Sequence, residues 1–94
     1  MIDYDISFLV SSSVKWEEIY NLIISKKNNN SLLQNVIFVD EYHGKQIPED
    51  KKSITIRLVI GSNEKTLTSK EIEEVANNVI NTLRKKFEAE VRDK

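Results

Sequence analysis

The stretch from Lys51 to Phe87 constrains the fold more than any other, because an alternating strand, a polar turn and a helix with an explicit start signal follow one another without interruption. Ile54, Ile56, Leu58 and Ile60 recur at every second position with Ser53, Thr55, Arg57 and Val59 between them, the pattern of a strand that buries one face. Only Val59 departs from it. Gly61, Ser62 and Asn63 form a turn, after which Thr68 and Glu71 stand at capping-box spacing with Leu67 and Ile72 placed as a hydrophobic staple. Ile72, Val75, Ala76, Val79, Ile80 and Leu83 then share one helical face. Glu71, Glu73 and Glu74 lie in the first turns and Arg84, Lys85 and Lys86 in the last, which complements the helix dipole. The dipole accounts for the basic triplet as a solvated helix end, without a nucleic-acid contact.

The preceding half reads in the same terms. From Tyr4 to Val10, Ile6, Phe8 and Val10 alternate with Asp5, Ser7 and Leu9, which predicts a first strand, central because Leu9 makes its outer side partly apolar. Ser11 to Ser13 turn the chain. Trp16, Ile19, Tyr20 and Ile23 keep helical spacing, with Val14 stapled to Ile19 if Lys15, a poor cap, is the N-cap. At that spacing Trp16 reads as core or core edge rather than a base-stacking platform. The helix should end near Lys26 or Lys27, before the turn-forming run Asn28 to Ser31. Val36 to Tyr42 predicts a second strand of ambiguous register running out to an exposed tip, and His43 to Asp50 a loop long enough to be mobile. Glu88 to Arg92 alternates again and can supply a short closing strand.

The resulting order, strand, helix, strand, strand, helix, strand, is the ferredoxin-like α+β arrangement: a four-stranded antiparallel sheet with both helices on one face. One core should hold Ile6, Phe8, Ile54, Ile56, Leu58, Ile60, Ile72, Val75, Val79, Ile80 and Leu83. A chain of 94 residues suits a single domain, 1–94, that buries roughly 60% of its unfolded surface. With no cysteine, that core works without disulfides or thiolate metal sites. Fourteen basic against fifteen acidic residues leave a net charge of −1, which argues against a domain that grips DNA or RNA unaided. Neither a signal-peptide pattern nor a run of ~20 apolar residues is present, so no membrane partner is expected and the location reads as cytoplasmic. Asn29-Asn30-Ser31 matches a glycosylation acceptor, by chance on that reading.

Several short motifs are more specific. Asp5-Ile6-Ser7-Phe8; Leu33 followed by Val36-x-Phe38-Val39-Asp40-x-Tyr42-x-Gly44; Ile47-Pro48-x-x-Lys51-Lys52-Ser53; Lys65-Thr66-Leu67-Thr68 with Glu71-Ile72; and Phe87-x-Ala89-x-Val91-Arg92 resemble, in order and spacing, the ferredoxin-fold anticodon-binding domain. That domain closes the β chain of bacterial phenylalanyl-tRNA synthetase. The resemblance covers nearly the whole chain. It departs at Tyr4, where the family usually has a basic residue, and at Lys65, where it has arginine and its planar fork. A chain opening at Met1 fits either an excised fragment or a stand-alone relative.

The resemblance implies a non-catalytic, tRNA-binding module with no cofactor, whose partners are the anticodon region of phenylalanine tRNA, the remainder of the β chain and the α subunit. The residues agree: His43 is the sole histidine and reads as a solvated loop residue, and the carboxylates are scattered. Single-stranded bases are read by stacking and by hydrogen bonds to their edges. Asp40 and Tyr42 would then accept from a base edge and stack, or alternatively cap the loop and cover the core rim. Lys51, Lys52 and Arg57 are candidate phosphate contacts, each otherwise a solvated surface charge. Two other classes fit the fold: a ferredoxin-like regulatory or interaction module, which glycine-poor loops disfavour as a ligand site, and a small hydrolase of the acylphosphatase kind, whose glycine-rich phosphate loop is missing.

Overall fold

The computed structural model describes residues 1–26, 32–62 and 66–91. Lys27, the alternative helix end, and the predicted turn residues Asn28 to Ser31 and Asn63, together with Lys65 and Arg92, lie outside them. The elements run β1 (Ile2–Ser11), α1 (Trp16–Lys26), β2 (Leu33–Tyr42), β3 (Lys51–Ile60), α2 (Ser69–Phe87) and β4 (Glu90–Val91). They build one antiparallel sheet in the order β2-β3-β1-β4, the ferredoxin-like topology expected.

β3 is the hub. It pairs with β1 from Ser11↔Lys51 to Ile2↔Ile60 and with β2 from Tyr42↔Ser53 to Leu33↔Ile60. Its even-numbered residues Ile54, Ile56, Leu58 and Ile60 are fully buried. Ile6, Phe8 and Val10 extend that layer on β1, and Ile19 and Ile23 of α1 with Ala76, Val79 and Leu83 of α2 close over it. Ile72, Val75 and Ile80, expected inside, are only partly buried. The narrow line of α2 that meets the sheet runs through Ala76, whose small side chain admits close approach, and the larger residues flank it.

The helix ends explain themselves. At α2 the Thr68 hydroxyl accepts the Glu71 amide at 3.2 Å while the Glu71 carboxylate accepts the Thr68 amide at 3.1 Å, the reciprocal box. α1 begins behind Lys15, whose carbonyl accepts the amides of Glu18 and Ile19. Lysine has no capping acceptor, but Glu18 reaches back to the Lys15 amide at 3.1 Å and supplies half of a box. The closing strand starts later than predicted. Glu88 adopts a left-handed conformation (φ 55°, ψ 34°) and its amide donates to Arg84, while Ala89 donates to Leu83. Those amides satisfy the carbonyls at the end of α2, so pairing with β1 begins only at Glu90.

Two further expectations change. The connection from β2 to β3 is pinned: Ile47 is buried and donates to Gly44, Lys51 donates to Pro48, and Ser12 donates to Asp50. The β2 register, ambiguous in sequence, is set by irregularities between Leu33 and Asn35 and between Phe38 and Asp40. Phe38 faces the helices opposite Ile56, with its ring 5.5 Å from that of Trp16. Trp16 also lies 5.8 Å from Tyr20, so it belongs to an edge cluster between α1 and β2.

Leu58→Ala should cost about 2–5 kcal/mol in urea unfolding, as expected where a fully buried leucine leaves a cavity. Thr68→Ala should cost about 1 kcal/mol, read as a lowered midpoint of thermal unfolding.

Candidate nucleic-acid interface

Helices cover one face of the sheet, and the odd-numbered residues of β1 and β3 point to the other. The bulge at Val39 decides what β2 adds to that open face. Without the extra residue, strict alternation from Phe38 would turn Asp40 and Tyr42 toward the helices. With it, Asp40 lies opposite Thr55 and Tyr42 opposite Ser53. The face is therefore ruled in rows: Tyr42, Ser53 and Leu9; Asp40, Thr55 and Ser7; Ile37, Arg57 and Asp5.

Serine and threonine make the floor low, and Ser7 and Thr55 hydrogen-bond to each other at 2.7 Å. Tyr42 stands at the rim, 51% exposed, with Ile37 at 41%. Its ring lies against Gly44, where an added Cβ would overlap it. An aromatic rim above a shallow polar floor can receive a flat ring, and the exposed Asp40 carboxylate can accept hydrogen bonds beside it. Among the described residues no group of three or more histidines and carboxylates is arranged to hold a metal ion.

Of the five sequence-predicted site residues, the open face collects four. Asp40, Tyr42, Lys51 and Arg57 share it, Lys51 opposite Ser11 at the end of β3. Arg57 is not a free charge: its guanidinium forks onto Asp5 at 2.9 and 3.2 Å, with Asp3 at 4.0 Å. The hydrogen bond and charge of Asp5 push its already high pKa further up.

Lys52 is elsewhere. Opposite Val10, it points to the helix-covered side with its side chain only 8% exposed, so the expectation of a solvated surface charge is corrected. Its ammonium meets Glu41 Oε1 at 3.0 Å, and His43 Nε2 meets Glu41 Oε2 at 3.1 Å. An ionised carboxylate only accepts, so that His43 nitrogen carries the hydrogen. These two contacts, that of Lys52 first, hold the Glu41 carboxyl below its ordinary pKa.

Sequence reasoning missed Glu41 and the Asp5–Arg57 fork. Glu41 is a diagonal neighbour of Lys52 only once the bulge has shifted the register, and no local signal announces the bulge. Asp5 and Arg57 meet across β1 and β3, far apart in sequence, and alternation alone allows that pairing without requiring it.

Comparison with known proteins gives a consistent result. The family model described as the ferredoxin-fold anticodon binding domain matches residues 1–92. The phenylalanine–tRNA ligase beta subunit of Clostridium acetobutylicum is 40% identical over 88 residues, covering 94% of this chain and 11% of that protein. The chloroplastic beta subunit of Phaeodactylum tricornutum is 33% identical over 89 residues, 95% of this chain and 12% of that one. The beta subunit of Trichormus variabilis is 36% identical over 90 residues, 96% of this chain and 11% of that one. The chain thus spans only about a ninth of the length of these relatives.

The Glu41 contacts give a pH test. Because folding lowers this pKa from its ordinary 4.5, the stabilisation is complete above that value and is lost as the pH falls through the folded one. The stability difference between wild type and Glu41→Gln should therefore be largest near neutrality and vanish in acid, measured by urea unfolding across the pH range.

Proposed function

The chain belongs to the ferredoxin-fold anticodon binding domain family, and from that premise we propose that it contacts the anticodon region of phenylalanine tRNA as one module of a phenylalanine–tRNA ligase beta subunit. On this reading it has no active site of its own. Aminoacylation takes place in a separate catalytic module, the remainder of the beta chain and the alpha subunit are its protein partners, and it works in the cytoplasm.

The observation that carries the reading is the placement of Asp40 and Tyr42 together on the open face, beside the low floor of Ser7, Ser53 and Thr55. Tyr42 stacks on an unpaired base and Asp40 accepts from its edge. Lys51, and Arg57 in exchange for part of its fork to Asp5, contact the flanking phosphates. Lys52, on the other side of the sheet, is not among the direct contacts.

A net charge of −1 makes the affinity of the chain alone weak and strongly dependent on salt. Within a ligase, the tether raises the effective concentration of the domain at its tRNA. Tyr42→Ala should weaken binding of phenylalanine tRNA by about 1–3 kcal/mol, the worth of one base stacked on an aromatic ring, in fluorescence titrations at low salt. Unchanged affinity in both Tyr42→Ala and Asp40→Asn, with circular dichroism intact, would remove the RNA from this face.

A further inference from the structure

Lys52 is the anomaly of the sheet. A lysine almost never lies buried without a partner, and this one stands in a strand whose other helix-facing residues are isoleucine and leucine. Its ammonium reaches diagonally from β3 to β2, since Glu41 pairs with Ile54 and Lys52 is two residues along on the same face. The contact therefore closes the seam between the two strands at the end where the ladder stops, at Tyr42↔Ser53.

That end needs closing. Beyond the bulge only Asp40, Glu41 and Tyr42 return to register with β3 before β2 ends. Glu41 sits between the two open-face residues, so an ion pair that holds its side chain on the helix-covered side holds Asp40 and Tyr42 on the other. His43 takes the second Glu41 oxygen. Gly44 then leaves room for the Tyr42 ring, which any Cβ there would displace.

We propose that the Glu41–Lys52 ion pair is a positioning device for the RNA-binding face: Lys52 governs tRNA affinity by fixing Asp40 and Tyr42 from behind the sheet, and never touches phosphate. This rests on the reading of the open face given above. It makes opposite forecasts from a phosphate contact. Removing the Glu41 carboxylate subtracts a negative charge, which on charge alone should favour RNA, yet as part of the device its loss weakens binding.

The test uses the 94-residue chain and its Lys52→Met, Glu41→Gln and double variants. Lys52→Met keeps the buried stem and removes the charge. Two readouts are taken: backbone amide resonances and hydrogen exchange of the free proteins, and titration with a phenylalanine tRNA transcript over a range of salt. Both single variants should shift the Asp40 and Tyr42 amides and speed their exchange, and each should lose about fivefold in affinity. The double variant should fall no further than either single one, as for groups that share a single contact.

The slope of log affinity against log salt should match wild type throughout. A slope reduced by about 0.7 in Lys52→Met, the signature of one lost contact to a single-strand phosphate, would overturn the proposal, as would tighter binding by Glu41→Gln. Undisturbed Asp40 and Tyr42 amides in both single variants would overturn it without reference to RNA. If the wild-type chain binds no tRNA at low salt, the reading of the open face falls, while the amide measurements still decide whether the pair positions those residues.

Discussion

Everything in this fold is referred to β3. It carries ladders on both edges and a dry face of Ile54, Ile56, Leu58 and Ile60. Because strand side chains alternate strictly, a shift of one residue would expose that face and bury Arg57 and Thr55 in its place. The cost of exposing four large aliphatic side chains, about 1.5–3 kcal/mol each, is of the order of a small domain's whole stability. Burial on one side thus fixes the register that rules the rows on the other, and the candidate face and the stability of the fold share a single constraint.

The exception to that alternation makes the candidate site. From Asn35 to Phe38, β2 follows the period of two, with Val36 and Phe38 on the helix side opposite Leu58 and Ile56. One extra residue, Val39, then changes the side to which every later side chain points. Bulges re-aim side chains in this way and strengthen local twist. The flanking exposure of Ile37, Phe38 and Val39, each 41%, belongs to a strand at the edge of the sheet, where only one ladder is available.

These features differ in how far the sequence shows them. The Thr68–Glu71 box, the α2 face and the β3 alternation are legible because each is encoded within a few neighbouring residues, and the topology follows once the β1, α1, β2 and closing-strand patterns are added to them. Val14 and Ile19, spaced as a staple, are both buried in the core, and the half box from Glu18 to the Lys15 amide lets Lys15 serve as a cap. What sequence reading could not reach depends on residues that meet only after folding. The fork of Arg57 onto Asp5 needs the β1–β3 register, and the burial of Lys52 against Glu41 needs the bulge. Asp40 and Tyr42 were placed together because both are two apart near a strand end, while the physical reason that they face away from the core lies in Val39. Glu88 departs from its pattern for a related cause: alternation suggests a strand, but the carbonyls at the end of α2 have first claim on its amide and on that of Ala89.

The pairing of charges explains how a domain with almost no net charge can still suit nucleic acid. Arg57 is held by Asp5 and approached by Asp3, and Lys52 is held by Glu41, so neither contributes much to the long-range field that draws polyanions to a surface. A phosphate that engaged Arg57 would replace one anionic partner by another, and the net gain of such an exchange is small even though each hydrogen bond is charge-assisted. On the proposed reading, selectivity comes from groups that lose little on binding and match a base in shape: the half-exposed Tyr42 ring, oriented against Gly44, and the Asp40 carboxylate beside it. A face built in this way discriminates better than it attracts. That balance fits a module whose encounter with RNA is arranged by a larger assembly, and it explains why the basic triplet Arg84, Lys85 and Lys86, left at the end of α2 by the helix dipole, need play no part in it.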